Sequence, residues 1–239
     1  MRVMLIDDER LARAELRRLL AAHPEVEIVG EAVNAEDGVR QIAALKPDLV
    51  FLDVQMPGGS GFDMLAALDE APEVIFTTAF DQYALQAFEV NALDYLQKPI
   101  QAARMAAALQ RCALRHGRAL SYAAAAVAPT AAKKLFIKDG ERCWFVSLQD
   151  VRLFESEGNY TRVYFGQHKP LMLRSLNQLE ERLDPQRFFR ASRRHIVNLD
   201  YVGKVTPNDT GGLDLTLRDA LQVEVSRRRA AQFKLLASL

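Results

Sequence analysis

The chain has little cysteine, no long apolar run and no net charge. Cys112 and Cys143 are the only two cysteines in 239 residues. They have no metal-ligand spacing and form no paired framework, which argues against a disulfide scaffold and makes a reducing cytoplasm the default. No apolar run approaches the roughly 20 residues a membrane span needs, so no membrane association is expected. The opening stretch MRVMLIDDER is a charged strand end rather than a signal peptide. The second half lacks a Gly-rich phosphate loop, a metal-ligand cluster and a Ser/His/Asp grouping, which disfavours catalysis there.

The zero net charge hides an asymmetry. Residues 1–116 hold 11 Lys/Arg and 18 Asp/Glu, a net of −7, and residues 117–239 hold 20 and 13, a net of +7. An acidic half joined to a basic half points to cation binding in one and polyanion binding in the other. The length suggests two domains. Hydrophobic content of 49% and charged content of 26% suit a globular protein. The Ala-rich stretch at 117–132, broken by Pro129, reads as a linker that could extend the preceding helix.

What is present in the first half is organised around LVFLDVQMPGGSGFDML, Leu49 to Leu65. An apolar run of four ends at Asp53, and Pro57 forbids continuation of a central strand. Such a run reads as a strand buried on both faces, with Asp53 at its carboxyl tip. Val3–Ile6 followed by Asp7-Asp8 has the same form. Further strands are expected at 27–31, 73–78 and 94–99, with helices at 11–20, 35–45, 61–68, 81–90 and 101–115. Five strand–helix alternations specify a parallel sheet with helices on both faces. Asp7-Asp8, Asp53, Thr78 and Lys98 then share one sheet edge. Asp8 and Asp53 can hold one hard divalent cation, which suits Mg²⁺. A carboxylate there can attack phosphorus, and Lys98 with Thr78 can hold the phosphoryl oxygens.

Asp7-Asp8, Asp53 with Pro57 four positions later, Thr78-Ala79 and Lys98-Pro99 together resemble the receiver domain of two-component response regulators. The resemblance covers residues 1–116 and implies a doubly wound, five-stranded parallel, flavodoxin-like α/β fold. It implies that Asp53 is the phosphoacceptor, and that Asp8, Asp53 and the Gln55 backbone carbonyl bind Mg²⁺ with indirect support from Asp7. It further implies that Thr78 and Lys98 contact the phosphoryl group and that Tyr95 is the aromatic switch residue. Gly59 stands where an apolar residue is more usual.

The second half reads as about ten short strands with turns at Asp139-Gly140, Gly158-Asn159 and 208–212. A short helix follows Ser175, and a basic C-terminal helix is expected through Leu236. Basic residues cluster at Arg190, Arg193, Arg194 with His195, and at 227–229. Such clusters neutralise phosphates, and Arg forks can read guanine edges. The motifs FESEGNY (154–160), FRASRRHIVN (189–198) and VSRR (225–228) resemble the LytTR DNA-binding domain, over residues 133–239. The resemblance implies loops that enter successive major grooves, with Asn159, Arg193 and Arg228 at base-contacting positions and Arg194 and Arg227 on phosphates. Arg194 and His195 replace the commoner Ser and aromatic. Over nearly the whole chain the resemblance is to LytR/AlgR-type regulators. It implies a transcription factor, not an enzyme, phosphorylated by a sensor histidine kinase. It also implies a homodimer when phosphorylated, on paired repeats of double-stranded promoter DNA. A receiver with a protein- or RNA-binding output is the alternative. An aspartyl-phosphate hydrolase is disfavoured, because Asp53 is followed by Val54-Gln55 and no Asp-x-Asp exists.

Overall fold

The strand that ends at Asp53 is central to its sheet, and all five of its residues are buried. The computed structural model describes residues 1–79, 93–123, 133–140 and 142–236, with side chains at 115–123 left aside. The helix expected at 81–90 lies outside these residues. The chain divides into two units, Met1–Ser147 and Leu148–Leu239.

In the first unit, Arg2–Ile6 (β1), Glu27–Ala32 (β2), Leu49–Asp53 (β3), Glu73–Thr78 (β4) and Asp94–Gln97 (β5) form one parallel sheet in the order β2-β1-β3-β4-β5. This is the expected doubly wound sheet. Its side chains alternate between two cores, as the two-residue period of a strand requires. Val3, Leu5, Leu49, Phe51 and Ile75 face Leu16, Leu19 and Leu20 of Arg10–Leu20 (α1) and Met105, Ala108 and Leu109 of Ala102–Ala123 (α4). Met4, Ile6, Val50, Leu52, Val74 and Phe76 face Ile42 of Ala35–Leu45 (α2) and Phe62, Met64 and Leu65 of Gly61–Ala67 (α3). Leu11 is 72% exposed, because it sits about 140° around the helix from Leu16. Helix α2 ends at Lys46, whose φ of 46° is left-handed, directly before Pro47. Helix α4 runs to Ala123, well into the stretch expected as linker.

The hairpin Lys134–Asp139 (β6) and Arg142–Ser147 (β7) belongs to this first unit. The second domain is expected from residue 133, ahead of this hairpin. Phe136 and Cys143 are buried in the same core as Phe62 and Phe76. The Phe62 and Phe136 rings lie 6.5 Å apart at 17°. The Ala71 amide donates to the Lys134 carbonyl at 3.0 Å, and Lys134–Glu73 and Lys138–Asp63 are ion-paired. A lone two-stranded hairpin cannot bury its own apolar face, and α3 is only seven residues long. The hairpin covers what that short helix leaves open.

In the second unit, Val151–Glu157 (β8), Tyr160–Phe165 (β9), Leu171–Met172 (β10), Phe188–Arg190 (β11) and His195–Asn198 (β12) form an antiparallel sheet in the order β10-β9-β8-β12-β11. Val202–Pro207 (β13), Leu213–Leu217 (β14) and Gln222–Val225 (β15) form a second sheet. Leu153, Tyr164, Phe189 and Val197 meet Leu213, Leu215, Leu217, Val223 and Val225 between them. Ala230 and Phe233 of Arg227–Leu236 (α6) close this core. Leu176–Glu180 (α5) carries the expected Ser175 cap, completed into a capping box by Gln178. Ten strands are thus described after residue 133, as the sequence reading expects. Phe188–Arg190, which ends on the first arginine of the basic cluster, is a strand paired with β12.

Candidate acidic pocket and basic loop surface

The order of the parallel sheet reverses between β1 and β3, and a crevice opens outside the carboxyl ends of strands at such a point. Both acidic tips lie there. Carboxylate oxygens of Asp7, Asp8 and Asp53 fall within 4.8 Å of one another. Asp7 and Asp53 are buried, while Asp8 is exposed. Lys98 Nζ lies 2.8 Å from Asp7 Oδ2 and 3.1 Å from Asp53 Oδ2. It is brought there by β5, whose following residue donates its Lys98 amide to the Thr78 carbonyl at 2.8 Å. Thr78 is buried at the tip of β4, one residue past the Asp53–Thr77 register pair. The structure therefore brings Asp7, Asp8, Asp53 and Lys98 together, with Thr78 at the adjacent strand end.

Burial pushes the Asp53 carboxyl above its usual range, and Lys98 only partly offsets this. Burial by itself would lower Lys98, but hydrogen bonding and charge from Asp7, with the Asp53 charge, raise it. A pocket of hard oxygen donors around a desolvated carboxylate is the donor set of a divalent cation. The Gln55 amide donates to Asp53 Oδ1 at 3.3 Å, which turns the loop back over the carboxylate.

Several residues that support this pocket carry no signal in the sequence reading. A Cβ at Gly61 would meet the Asp53 carbonyl oxygen at 2.4 Å and Leu52 Cγ at 3.0 Å. Only glycine lets α3 begin directly beneath the pocket, where the Gly61 amide donates to the Val54 carbonyl at 2.8 Å. A glycine just after the capping Ser60 was the available sign. Arg13 Nη1 donates to the Asp7 carbonyl at 2.7 Å, while its Nε meets Glu31 at 3.1 Å. Nothing in local sequence reveals that contact. Tyr95 sits opposite Phe76 in the β4–β5 register, partly buried against the core.

In the second unit the two basic clusters meet where the Ser226 amide donates to the Ala191 carbonyl at 3.1 Å. Gly158, with φ of 61°, and Asn159 make the two-residue β8–β9 turn, and Asn159 is exposed. Beside it, the Ser156 amide donates to the Arg194 carbonyl at 2.8 Å. Arg193, Arg194, Arg227 and Arg228 are exposed. Arg193 and Arg228 line one cleft of about 250 Å³, shared with Asn177, Glu180, Arg190 and Arg229. Arg194 pairs with Glu155 at 3.2 Å.

His195 is turned inward along the sheet, 3.6 Å from Glu155 and 3.3 Å from Ser192 Oγ. Burial lowers its pKa, and Glu155 only partly opposes this. Glu155 would be raised by burial, but the Tyr164 hydroxyl, His195 and Arg194 hold it below the usual range.

The sequence model described as the response regulator receiver domain matches residues 3–110, and that of the LytTr DNA-binding domain matches residues 141–238. The chain is 37% identical over 238 residues to the transcriptional regulatory protein BtsR of Escherichia coli K12, covering 98% of this chain and 97% of that protein. It is 33% identical over 237 residues to the sensory transduction protein LytT of Enterococcus faecalis, covering 98% of each. Among solved structures, the response regulatory domain of mrkE from Klebsiella pneumoniae is 32% identical, over 49% of this chain and 99% of that one, with a TM-score of 0.45. The chain therefore belongs to the LytR/AlgR-type two-component response regulators, with a receiver domain and a LytTR DNA-binding domain.

Proposed function

We propose that Asp53 accepts a phosphoryl group from a sensor histidine kinase and that this controls promoter reading by the basic loops. The observation that carries the proposal is the convergence of Asp7, Asp8, Asp53 and Lys98 at the sheet's switch point. An Asp53 carboxylate oxygen attacks phosphorus, and the bond from phosphorus to the donor breaks, its electron pair leaving with the donor. Lys98 is already paired to Asp53 and can follow the charge onto the phosphoryl oxygens, with Thr78 beside it. Asp8, Asp53 and the Gln55 carbonyl, backed by Asp7, would hold Mg²⁺, which neutralises the carboxylates and the incoming phosphoryl group. The chain's own chemistry is limited to this uptake and slow hydrolysis of the product. No described helix is long and apolar enough to cross a membrane, and a cytoplasmic site of action fits a partner that is chromosomal DNA.

At the output, Asn159, Arg193 and Arg228 are the base-contacting candidates, and Arg194 and Arg227 the phosphate contacts. His195 joins them through Glu155 rather than by its own exposure. Arg forks on guanine discriminate by roughly 1–3 kcal/mol each. Arg193→Ala or Arg228→Ala is expected to relax preference at particular base pairs. Arg194→Ala or Arg227→Ala is expected to weaken all sequences alike and to shallow the salt slope by about one unit. Binding of each variant to single-base changes of a selected duplex, at two salt concentrations, checks this. Equal losses on every sequence for Arg193→Ala and Arg228→Ala would make them phosphate clamps. A preference for single-stranded RNA over duplex DNA in the same assay would favour the alternative output.

One small domain covers little DNA, so paired repeats bound by two subunits are expected. Phosphorylation would bias Tyr95 and the segment at 81–90 toward self-association, a population shift that needs only a few kcal/mol. Sedimentation with and without a phosphoryl mimic such as beryllofluoride should give a dimer only with the mimic. An unchanged mass across micromolar concentrations would count against it.

A further inference from the structure

We infer that Arg190 and Glu180 are positioning residues that lock the DNA-reading loop of Arg193 and the helix start of Arg228 into one rigid frame. The inference rests on the reading roles proposed above for Arg193 and Arg228. By composition Arg190 belongs with the phosphate-binding arginines, but its side chain is only 9% exposed.

Its guanidinium points back into the loop it precedes. Nε donates to the Ser192 carbonyl at 2.7 Å and Nη2 to the Arg193 carbonyl at 3.0 Å. The third nitrogen, Nη1, makes no hydrogen bond and lies 3.5 Å from Glu180 Oε2 as an ion pair. The other oxygen of the same carboxylate, Oε1, accepts from Arg229 Nη2 at 3.2 Å. Arg229 is the residue after Arg228, in the first turn of α6. One carboxylate therefore ties the loop that carries Arg193 to the helix start that carries Arg228. A backbone bond repeats the tie, from the Ser226 amide to the Ala191 carbonyl at 3.1 Å.

Carbonyls in an exposed turn ordinarily hydrogen-bond to water and leave the turn free to rearrange. Here a planar fork with fixed donor directions holds two of them. Lysine offers a point charge on a flexible stem and cannot reproduce the fork. With the loop and the helix start both held to Glu180, the spacing between Arg193 and Arg228 is set before DNA arrives. Preorganisation of this kind removes ordering costs that bidentate base contacts would otherwise bear. Phosphate contacts tolerate a misplaced loop better, because every backbone step offers oxygens of the same charge and none carries sequence information. Base contacts do not tolerate it. The clamp should therefore govern discrimination and leave grip alone.

The test uses the full chain and a duplex selected by the wild-type protein from random sequence. Its single-base variants and an unrelated duplex complete the panel. Arg190→Met keeps the buried stem and removes the fork. It should cut discrimination between the selected duplex and its variants by at least about fivefold, the scale of one bidentate contact. Affinity for the unrelated duplex and its salt slope should stay at wild-type values. Arg190→Lys should not rescue discrimination. Glu180→Gln, at an exposed residue, should also lower discrimination without lowering affinity for the unrelated duplex, and it serves if Arg190→Met does not fold.

Retention of wild-type discrimination by Arg190→Met, or by Glu180→Gln where the former does not fold, overturns the inference. Loss of affinity by one common factor on every duplex does so too, since a fold defect or a lost phosphate contact gives that pattern. A wild-type chain that shows no base preference overturns the DNA-reading proposal itself and the clamp with it. Preference that is lost in Arg193→Ala but kept in Arg190→Met removes the clamp alone.

Discussion

Asp53→Ala is expected to take up no phosphoryl group from acetyl phosphate and Mg²⁺, while the wild-type chain takes up one. The reason is that Asp53 lies beside Lys98 and keeps 9% of its side chain exposed to an incoming donor, whereas the Asp7 side chain is fully covered. Asp7 is also buried beside Lys98, but its Oδ1 accepts the Glu9 amide at 2.9 Å and its oxygen lies deeper in the fold. Asp8 is exposed. Lys98→Ala keeps the acceptor and loses the cation, so uptake should survive but slow, by about 10²-fold on the scale of one lost charge-stabilising donor. Intact-mass measurement over time, with mapping of the modified peptide, gives both results. Wild-type uptake by Asp53→Ala would refute the assignment. Unchanged kinetics in Lys98→Ala would remove the lysine from the reaction.

Phe136→Ala should destabilise the first unit by about 3–5 kcal/mol, the usual cost of emptying a buried phenylalanine site. Phe136 is 2% exposed, and its ring contacts Phe62 of α3 and Phe145 of its own hairpin, the latter at 4.9 Å. By contrast Leu173→Ala, at a residue 73% exposed, should change stability by no more than about 0.5 kcal/mol. The chain has one tryptophan, Trp144, on β7 of the same hairpin. Its fluorescence during urea unfolding therefore reports the first unit without interference from the second. If the midpoint in Phe136→Ala equals that of wild type, the hairpin is not part of this core. A midpoint shift accompanied by loss of the second unit's far-ultraviolet signal, and not the first's, would equally detach the hairpin from this core.

The Phe136 site also illustrates why part of this fold was hidden. Its run Leu135-Phe136-Ile137 is legible as a strand, and the turn after it as a hairpin turn. Which body the hairpin packs on is another matter, because apolarity names no partner. The partner is decided by the apolar surface that Phe62 of the short α3 and Phe76 of β4 present together, on which Phe136 packs. Likewise the two runs of arginine are visible as charge, but charge does not say which guanidinium is buried. Arg190 is the last residue of β11, and its pairing with Ile196 of β12 aims it under the loop. His195 faces Glu155 for the same reason, through the β8–β12 register. That register joins strands about forty residues apart in the chain, a span that no local window contains.

The sequence by itself determined the parallel sheet, the acidic tips at one edge and Lys98 beside them. Each follows from a local rule: an apolar run ended by a breaker fixes a strand tip, and parallel order carries all such tips to one side. Only the tertiary structure decided the allegiance of the 134–147 hairpin, the need for glycine at position 61, and the inward turn of Arg190 onto Ser192 and Arg193. Those depend on which surfaces meet and how closely, and close packing at distances of a few ångströms is set by register and neighbours rather than by residue type.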